Sequence, residues 1–257
     1  MTKIKNEKRS TFFIHYSCES FENLDGYTPR IASISLMNFE SLQIISFSIH
    51  LEAQIQGFNF KELNNKQLDL CEKGMLKNYF NFLKKNNSSN FVHWLMNTPT
   101  YGFEAIKNRY KILKGNPVDL NDNIKINLSE ILCLIYGYNY EVDKPDGRLI
   151  HLCERNNISP LGLLKGREEA ELFKQRDWLK LSNSTNAKVK SLLYIVRKHY
   201  KKELKTNSNI VEKYGLTMRG LEELKDNSYI LKTIWWLIIL FIGFYLRDLY
   251  NAVKSIG

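Results

Sequence analysis

A long apolar segment near the end of the sequence constrains the fold of this chain more than any other feature. Tyr229 to Tyr250 reads YILKTIWWLIILFIGFYLRDLY, and no residue between Lys232 and Arg247 is charged. The uncharged run has 14 residues, or about 21 Å of helix. A hydrocarbon core about 30 Å thick needs roughly 20 residues. The run reaches 18 residues if it starts at Tyr229 and Lys232 extends its ammonium group to the headgroups. We therefore predict a transmembrane helix over residues 229–250, short enough to favour tilting or oligomer formation.

Aromatic residues near both ends of this segment support the prediction. Trp235 and Trp236 lie towards one end and Tyr245 towards the other, with Phe241 between them. Trp and Tyr favour the boundary between headgroups and hydrocarbon, so we expect these four side chains to contact the membrane. A soluble chain whose apolar helix packs into a partner or an oligomer is the alternative, and membrane fractionation separates the two.

The rest of the sequence has the organisation of one cytoplasmic domain with short flanking segments. We predict a basic leader (1–10), a domain (11–204), a polar linker (205–228), the apolar helix (229–250) and a short tail (251–257). The chain opens on the polar residues MTKIKNEKRS instead of a secretory signal, and its four cysteines have no CxxC spacing. We therefore expect a single-pass protein of the inner cell membrane with its N-terminal domain in the cytoplasm.

The net charge of +10 suits two kinds of partner, nucleic-acid phosphates and anionic lipid headgroups. A Lys-rich surface also serves solubility alone. We expect a membrane, a nucleotide or nucleic acid, and an oligomer or protein partner as the interactions of this chain.

Alternation of apolar and small polar residues predicts strands near the start of the domain. Thr11 to Tyr16 is a short apolar run, and Ile31 to Asn38 (IASISLMN) and Gln43 to His50 (QIISFSIH) form a hairpin pattern. Helical spacing, short strands and further helices follow, and Asn186 to Leu204 has the clearest helical stripe. This order predicts an α/β domain with a mixed sheet flanked by helices.

Several enzyme classes lack their motifs in this sequence. There is no HExxH or HxxxH spacing for zinc, and there is no GxGxxG, GxxxxGK or GxSxG motif. We expect no metal site and no cofactor.

Local phrases of the domain resemble the DEDD-type 3'–5' exonucleases, which have a ribonuclease H-like fold. The phrases are FFIHYSCES with the hairpin, FVHWLMNTPTYGFEAIKNRY, KINLSEILCLIYG, LIHLCERNNIS and LSNSTNAKVKSLL. The resemblance implies a ribonuclease H-like mixed sheet over about residues 11–204. It also implies four carboxylates that would hold two Mg²⁺ or Mn²⁺ ions.

The chain departs from the family at most of those carboxylates. Glu19 is the one clear acid, Ser17 stands where the first Asp is expected, and no acid lies between Asp177 and Glu203. The resemblance therefore implies a degenerate, non-catalytic relative, with Glu19 as the catalytic candidate if the protein is an active nuclease.

Eight residues are candidates for nucleotide or nucleic-acid binding, each with a structural alternative. Glu19 next to His15 could take a ligand, or pair with Arg30 at a strand end. His93, Trp94 and Asn97 could line a base-stacking cleft, or belong to a buried strand.

The other candidates lie on predicted helices. Arg109 could flank the cleft, or pair with Glu104. Thr185 and Lys188, with Ser184, could hold a phosphate at the start of the clearest helix, or Ser184 or Thr185 could simply cap it.

Taken together, these patterns predict a membrane-anchored, non-catalytic, exonuclease-like sensing or effector protein. Bacterial antiphage systems that join a sensing module to a membrane segment provide the analogy. An active metal-dependent 3'–5' nuclease and a soluble interaction protein that assembles through its apolar tail are the alternatives.

Overall fold

A single mixed β-sheet organises the domain. The computed structural model describes residues 1–19, 28–209, 212 and 228–254, with side chains described up to residue 247. Residues 20–27, and parts of the predicted linker and C-terminal tail, lie outside the described residues. The five strands are β1 (Thr11–Cys18), β2 (Ile31–Asn38), β3 (Ile44–Ser48), β4 (Asn90–His93) and β5 (Lys125–Asn127).

The sheet has the order β3-β2-β1-β4-β5. Strands β1, β2 and β3 pair antiparallel, whereas β4 and β5 run parallel to β1. Residues 39–43 join β2 to the antiparallel β3 directly, whereas each parallel strand is reached through a helix. The predicted mixed sheet is confirmed, and the predicted Ile31–Asn38 strand has the observed bounds.

Helices cover both faces of this sheet. Their bounds are α1 (Thr2–Asn6), α2 (Ile49–Ile55), α3 (Asn65–Lys85), α4 (Phe103–Ile112), α5 (Leu128–Tyr136), α6 (Arg148–Arg155), α7 (Gly166–Lys174), α8 (Trp178–Tyr200) and α9 (Tyr229–Lys254), with short 3₁₀ turns at Lys8–Ser10 and Asp122–Ile124. The α/β class predicted from the sequence is therefore confirmed.

The two faces of β1 belong to two separate hydrophobic cores. Phe12, Ile14 and Tyr16 lie in the core that α3 and α4 cover. Phe13 lies in the other core, with residues of α5, α6 and α8. Because side chains alternate along a strand, His15 and Ser17 share the face of Phe13 and lie beneath α8. This alternation places polar side chains between the sheet and its longest covering helix.

Helix α8 begins eight residues earlier than the Asn186 start that the sequence predicted. Asp177 is its N-cap, since the Asp177 side chain accepts a hydrogen bond from the Lys180 amide at 3.1 Å, and Trp178 is buried directly after it. The polar run SNST resembles a helix start in sequence, but it lies inside the helix. Ser184, Thr185 and Lys188 are therefore inside the helix and not at its N-terminus, so the helix dipole gives no reason to place a phosphate there.

Residues 1–10, predicted as a solvated basic leader, pack against the domain. Ile4 of α1 is fully buried in the core that contains α8. The Tyr200 hydroxyl, at the other end of the domain sequence, donates a hydrogen bond to the Met1 carbonyl at 2.9 Å. The basic side chains of the leader stay exposed, whereas Ile4 enters the core and Met1 packs against it.

Helix α9 has the length and composition of a membrane-spanning helix. The stretch Tyr229–Arg247 has 19 residues with a mean hydropathy of 1.9, and none of it is buried against the rest of the described chain. The helix continues past the predicted uncharged run, and these 19 residues extend about 29 Å. Trp235, Trp236, Phe241 and Tyr245 are all exposed on it.

Candidate functional site

The carboxyl-terminal half of β1 and the middle of α8 enclose a group of polar side chains. We call it the β1–α8 polar cluster, and it includes the predicted residues His15, Thr185 and Lys188. All of its members are at most 9% exposed. The full membership is His15, Ser17, Ser33, Glu169, Ser184, Thr185 and Lys188.

Hydroxyl groups form a one-directional chain through this cluster. The Thr185 hydroxyl donates to the Leu181 carbonyl at 2.9 Å, so its oxygen accepts from Ser33 at 2.6 Å. The Ser33 hydroxyl then accepts from Ser17 at 2.9 Å. Each hydroxyl proton in the chain is therefore committed to a neighbour, and β1, β2 and α8 are joined across the buried interface.

A buried ion pair completes the cluster. The Lys188 ammonium donates to the Glu169 carboxylate, and the same carboxylate accepts from the Ser184 hydroxyl at 2.6 Å. Burial and the nearby Lys188 charge lower the pKa of His15 well below its usual value, so the imidazole is neutral at pH 7. The His15 Nδ1 atom has no hydrogen-bond partner in the part of the chain that the structure describes.

The cluster has the wrong chemistry for a two-metal nuclease site. Ser17 and Thr185 contribute neutral hydroxyl groups, and Lys188 adds a cation that is paired with the one carboxylate of the cluster, Glu169. Metal ions of the Mg²⁺ type need mostly anionic oxygen ligands. Among the described residues, no group of three or more His, Cys, Asp or Glu side chains could hold a metal ion.

Glu19 lies past a β-bulge at the end of β1. The register of β1 and β2 shifts between Ser17 and Cys18, and a bulge redirects the residues that follow it. The Glu19 carboxylate accepts a 3.3 Å hydrogen bond from the Arg30 amide. The alternative interpretation, a salt bridge between Glu19 and Arg30, is not what forms, because the Arg30 guanidinium pairs with Asp69 and Glu72.

The guanidinium groups of Arg30 and Arg109 both bind Glu72 of α3. Arg109 forms a two-pronged contact at 2.8 and 2.7 Å, and Arg30 donates at 2.9 Å. Glu72 has no solvent exposure and also accepts from the Ile31 amide at 2.8 Å. Arg109 therefore does not pair with Glu104, as one interpretation of the sequence had it, because Glu104 faces Lys107 instead.

A polar cleft of about 520 Å³ opens beside Glu19 and these arginines. Arg176 also lines it and donates to the Leu63 carbonyl at 2.7 Å. Trp178, 1% exposed, contributes an indole N–H that has no hydrogen-bond partner among the described residues. A buried donor without a partner costs free energy. The cleft lining is Glu19, Arg30, Asn65, Leu68, Asp69, Arg109, Ile112, Leu113, Phe173, Arg176 and Trp178.

His93 and Trp94, at the end of β4, are buried, as the buried-strand interpretation of these residues predicted, and Asn97 lies in the turn that follows. Trp94 is 6% exposed and packs edge-on against Tyr140, so its ring cannot stack on a base. The His93 Nδ1 atom accepts from the Met96 amide at 3.1 Å. Burial and the Lys125 charge lower the pKa of His93 to about 4. Asn97 is exposed and donates to Glu130 at 2.8 Å.

The four cysteines are free thiols. Burial raises the pKa of Cys18 to about 12 and those of Cys71 and Cys153 to about 11. Because the thiolate is the nucleophile, these three side chains are unreactive at pH 7.

The structure thus divides the predicted site residues among three places. His15, Thr185 and Lys188 share the β1–α8 polar cluster, and Glu19 and Arg109 line the cleft. The third place is the β4 turn, with His93, Trp94 and Asn97.

Sequence reasoning missed Glu72, Glu169 and Trp178. Glu72 carries a signal, since it lies four residues from both Leu68 and Leu76 on the apolar stripe of α3. Glu169 has no such signal, because its helix is otherwise not buried.

Comparison with protein-family models, with curated proteins and with solved structures finds no match to this chain.

Proposed function

We propose that this chain is a membrane-anchored, non-catalytic binding protein whose domain has a ribonuclease H-like fold. The observation that carries the non-catalytic part is the Ser17–Ser33–Thr185 hydroxyl chain. Ser17 stands where the resemblance implies a metal-binding Asp, and Lys188 adds a buried cation to the same cluster. If a single acid were restored in this cluster, a lysine and two hydroxyl groups would still surround the position of the metal ions.

The order of elements supports the fold assignment. Three antiparallel strands come first, and two strands parallel to β1 follow, each reached through a helix. This is the arrangement that the local phrases of the sequence imply. The long helix of the last motif also covers the face of β1 that bears His15 and Ser17.

The binding role is supported by the cleft beside Glu19. Arg30, Arg109 and Arg176 line it together with Trp178, whose buried indole N–H has no hydrogen-bond partner among the described residues. Arginine forks suit phosphate and carboxylate groups, and about 520 Å³ is within the usual size of a small-molecule site. A nucleotide, or the end of a nucleic-acid strand, is the ligand class that this chemistry favours.

Nuclease assays test the non-catalytic part. Full-length protein in neutral detergent is incubated with single-stranded DNA and RNA in Mg²⁺ or Mn²⁺. We expect no degradation above that of a mock purification. Metal-dependent degradation that disappears in Glu19→Ala would instead establish an active nuclease.

Ligand titration tests the binding part. Calorimetry with nucleoside monophosphates should show binding that Trp178→Phe weakens about tenfold, because a hydrogen bond to a charged group is lost while the aromatic packing is kept. Trp94→Phe is the matched control, since it removes an indole N–H from the other core. Equal affinity in both variants would rule out the cleft as the binding site.

A sensing or effector role in antiphage defence is the setting that we propose for such a protein. Phage infection should have a different outcome, in cell survival or in phage plating, in cells that express the full chain and in cells that express a chain lacking residues 229–257. Identical phage plating on the two strains would rule out the role in antiphage defence, but it would not affect the proposed binding function.

A further inference from the structure

A second and larger cleft, of about 870 Å³, lies at the carboxyl end of α8. It is formed by the last turns of α8, the segment around Phe39 after β2, and the segment from Asn157 to Pro160. None of the predicted site residues lines it. Its lining is Lys8, Phe39, Glu40, Asn157, Ile158, Ser159, Pro160, Tyr194, Arg197, Lys198, Tyr200, Lys201 and Glu203, and we call it the α8 basic cleft.

The α8 basic cleft carries an excess of positive charge. Within the described parts of the chain, Lys8, Arg197, Lys198 and Lys201 form no ion pair. One of the two acids in the lining, Glu40, is already bound by Arg9 at 2.9 Å. The cations therefore have anion-binding capacity that the described residues leave unused.

Aromatic rings lie among these cations. Tyr194 is 42% exposed, whereas Phe39 is buried and stacks on Tyr200 at 6.4 Å. The Lys8 ammonium lies 5.7 Å from the centre of the Phe39 ring. Cations beside half-exposed tyrosine rings are typical of surfaces that meet the headgroup layer of a membrane.

The helix dipole alone does not account for this arrangement. Arg197, Lys198 and His199 are in the last turn of α8, where cations stabilise the carboxyl end of a helix. Lys8 comes from the other end of the sequence, however, and Lys201 lies past the helix. Cations that only stabilise the end of a helix also do not need to line a cleft, as these do.

We propose that the α8 basic cleft binds the phosphate headgroups of anionic lipids in the membrane that α9 enters. This inference rests on the membrane anchoring proposed above. Residues 201–228 separate α8 from α9 and extend at most about 100 Å, so the membrane stays within reach of the cleft. A tether of this length gives a local concentration on the order of millimolar, and the surface potential of a cytoplasmic leaflet attracts such cations. The domain is thereby held in one orientation on the bilayer.

Native mass spectrometry of the full-length protein in neutral detergent tests the proposal. Phosphatidylglycerol and phosphatidylcholine are titrated as probes, and the expected result is one tight phosphatidylglycerol site. Lys198→Glu with Lys201→Glu should weaken that site about 25-fold or more, from about fivefold per cation near the membrane surface. Lys84→Glu with Lys85→Glu is the matched control, because those exposed lysines are in the last turn of another long helix, α3. The control should bind like the wild type.

The neutral pair Lys8→Gln with Lys201→Gln provides a second variant if the charge reversal fails to fold, which a thermal melt would reveal. Unchanged phosphatidylglycerol affinity in the folded cleft variants overturns the proposal, as does equal binding of the two lipids. Displacement of the lipid by equimolar inorganic phosphate would indicate a free-phosphate site instead. Tight binding of a 12-nucleotide single strand in place of lipid would assign the cleft to nucleic acid.

Failure of the anchor is a separate result. If the full chain is recovered in the soluble fraction without detergent, membrane anchoring is wrong, whatever the lipid titration shows.

Discussion

Glu72 is fully buried on α3, yet two arginine side chains and a backbone amide satisfy its carboxylate. A charge with no solvent contact is tolerated only when it is paired in this way. This one residue joins α3 to α4 and to the start of β2 beside the Glu19 cleft. The stability of the cleft and that of the fold are therefore coupled through it.

Glu72→Gln should destabilise the protein strongly. The substitution keeps the side-chain shape but leaves Arg109, only 3% exposed at its side chain, without its main counter-charge. Loss of one partner of a buried pair costs about 3–5 kcal/mol, so the melting temperature should fall by on the order of 10 °C. Asp69→Asn is the control, because the Asp69 side chain is half exposed and its ion pairs are worth about 1 kcal/mol at most. Equal melting temperatures for both variants would contradict this account.

His93 should make the stability of the protein depend on pH. The unfolded side chain gains a proton near pH 6.5, whereas burial lowers the pKa in the folded protein to about 4. The contribution of neutral His93 is thus complete above pH 6.5 and is lost as the pH falls towards 4. Between pH 7 and pH 5 the loss is about 2 kcal/mol, and buried His15 changes stability in the same direction.

Thermal melts of wild type and His93→Gln at pH 7 and pH 5 measure this effect. Wild type should lose several degrees more than the variant between the two pH values. Parallel pH dependence in the two proteins would show that His93 is not the group responsible.

At the scale of elements, period-two and helical patterns predicted most strands and helices, because each element buries one face. The hairpin strands followed their pattern closely. The start of α8 did not, since the SNST run is polar in sequence but satisfies its hydroxyls inside the fold through Ser33, Glu169 and the Leu181 carbonyl. Such contacts join residues that are far apart in the chain, and a local pattern contains no information on them. The candidate site was only partly predictable for the same reason.

The insertion of α9 into a membrane should be sensitive to a charge at the centre of the helix. Ile238 lies midway along Tyr229–Arg247, and an arginine at the middle of a transmembrane helix costs about 2.5–3.5 kcal/mol of insertion free energy. Ile238→Arg should therefore increase the fraction of protein extracted by alkaline carbonate. Tyr229→Arg, at the end of the same stretch, should have little effect because its charge can reach the headgroups. Equal extraction of the two variants would contradict a spanning helix.

At the scale of the whole molecule, the chain joins two parts that are stabilised by different means. The domain has two cores and buried polar clusters, whereas α9 buries none of its apolar stretch against the described chain. A helix with so much exposed apolar surface requires a lipid or protein environment. The largest free-energy gain available to α9 therefore lies outside the domain.

Deletion of residues 229–257 should then move the protein from the membrane to the soluble fraction while the melting temperature of the domain stays within about 2 °C. The small change follows because none of Tyr229–Arg247 is buried against the rest of the described chain, and surface changes away from buried contacts alter stability by about 0.5 kcal/mol at most. Fractionation and a thermal melt of both chains measure the two halves of this prediction. A deleted chain that aggregates or melts many degrees lower would mean that α9 packs on the domain. In that case the apolar helix would serve assembly, because its exposed surface would be covered by protein instead of lipid.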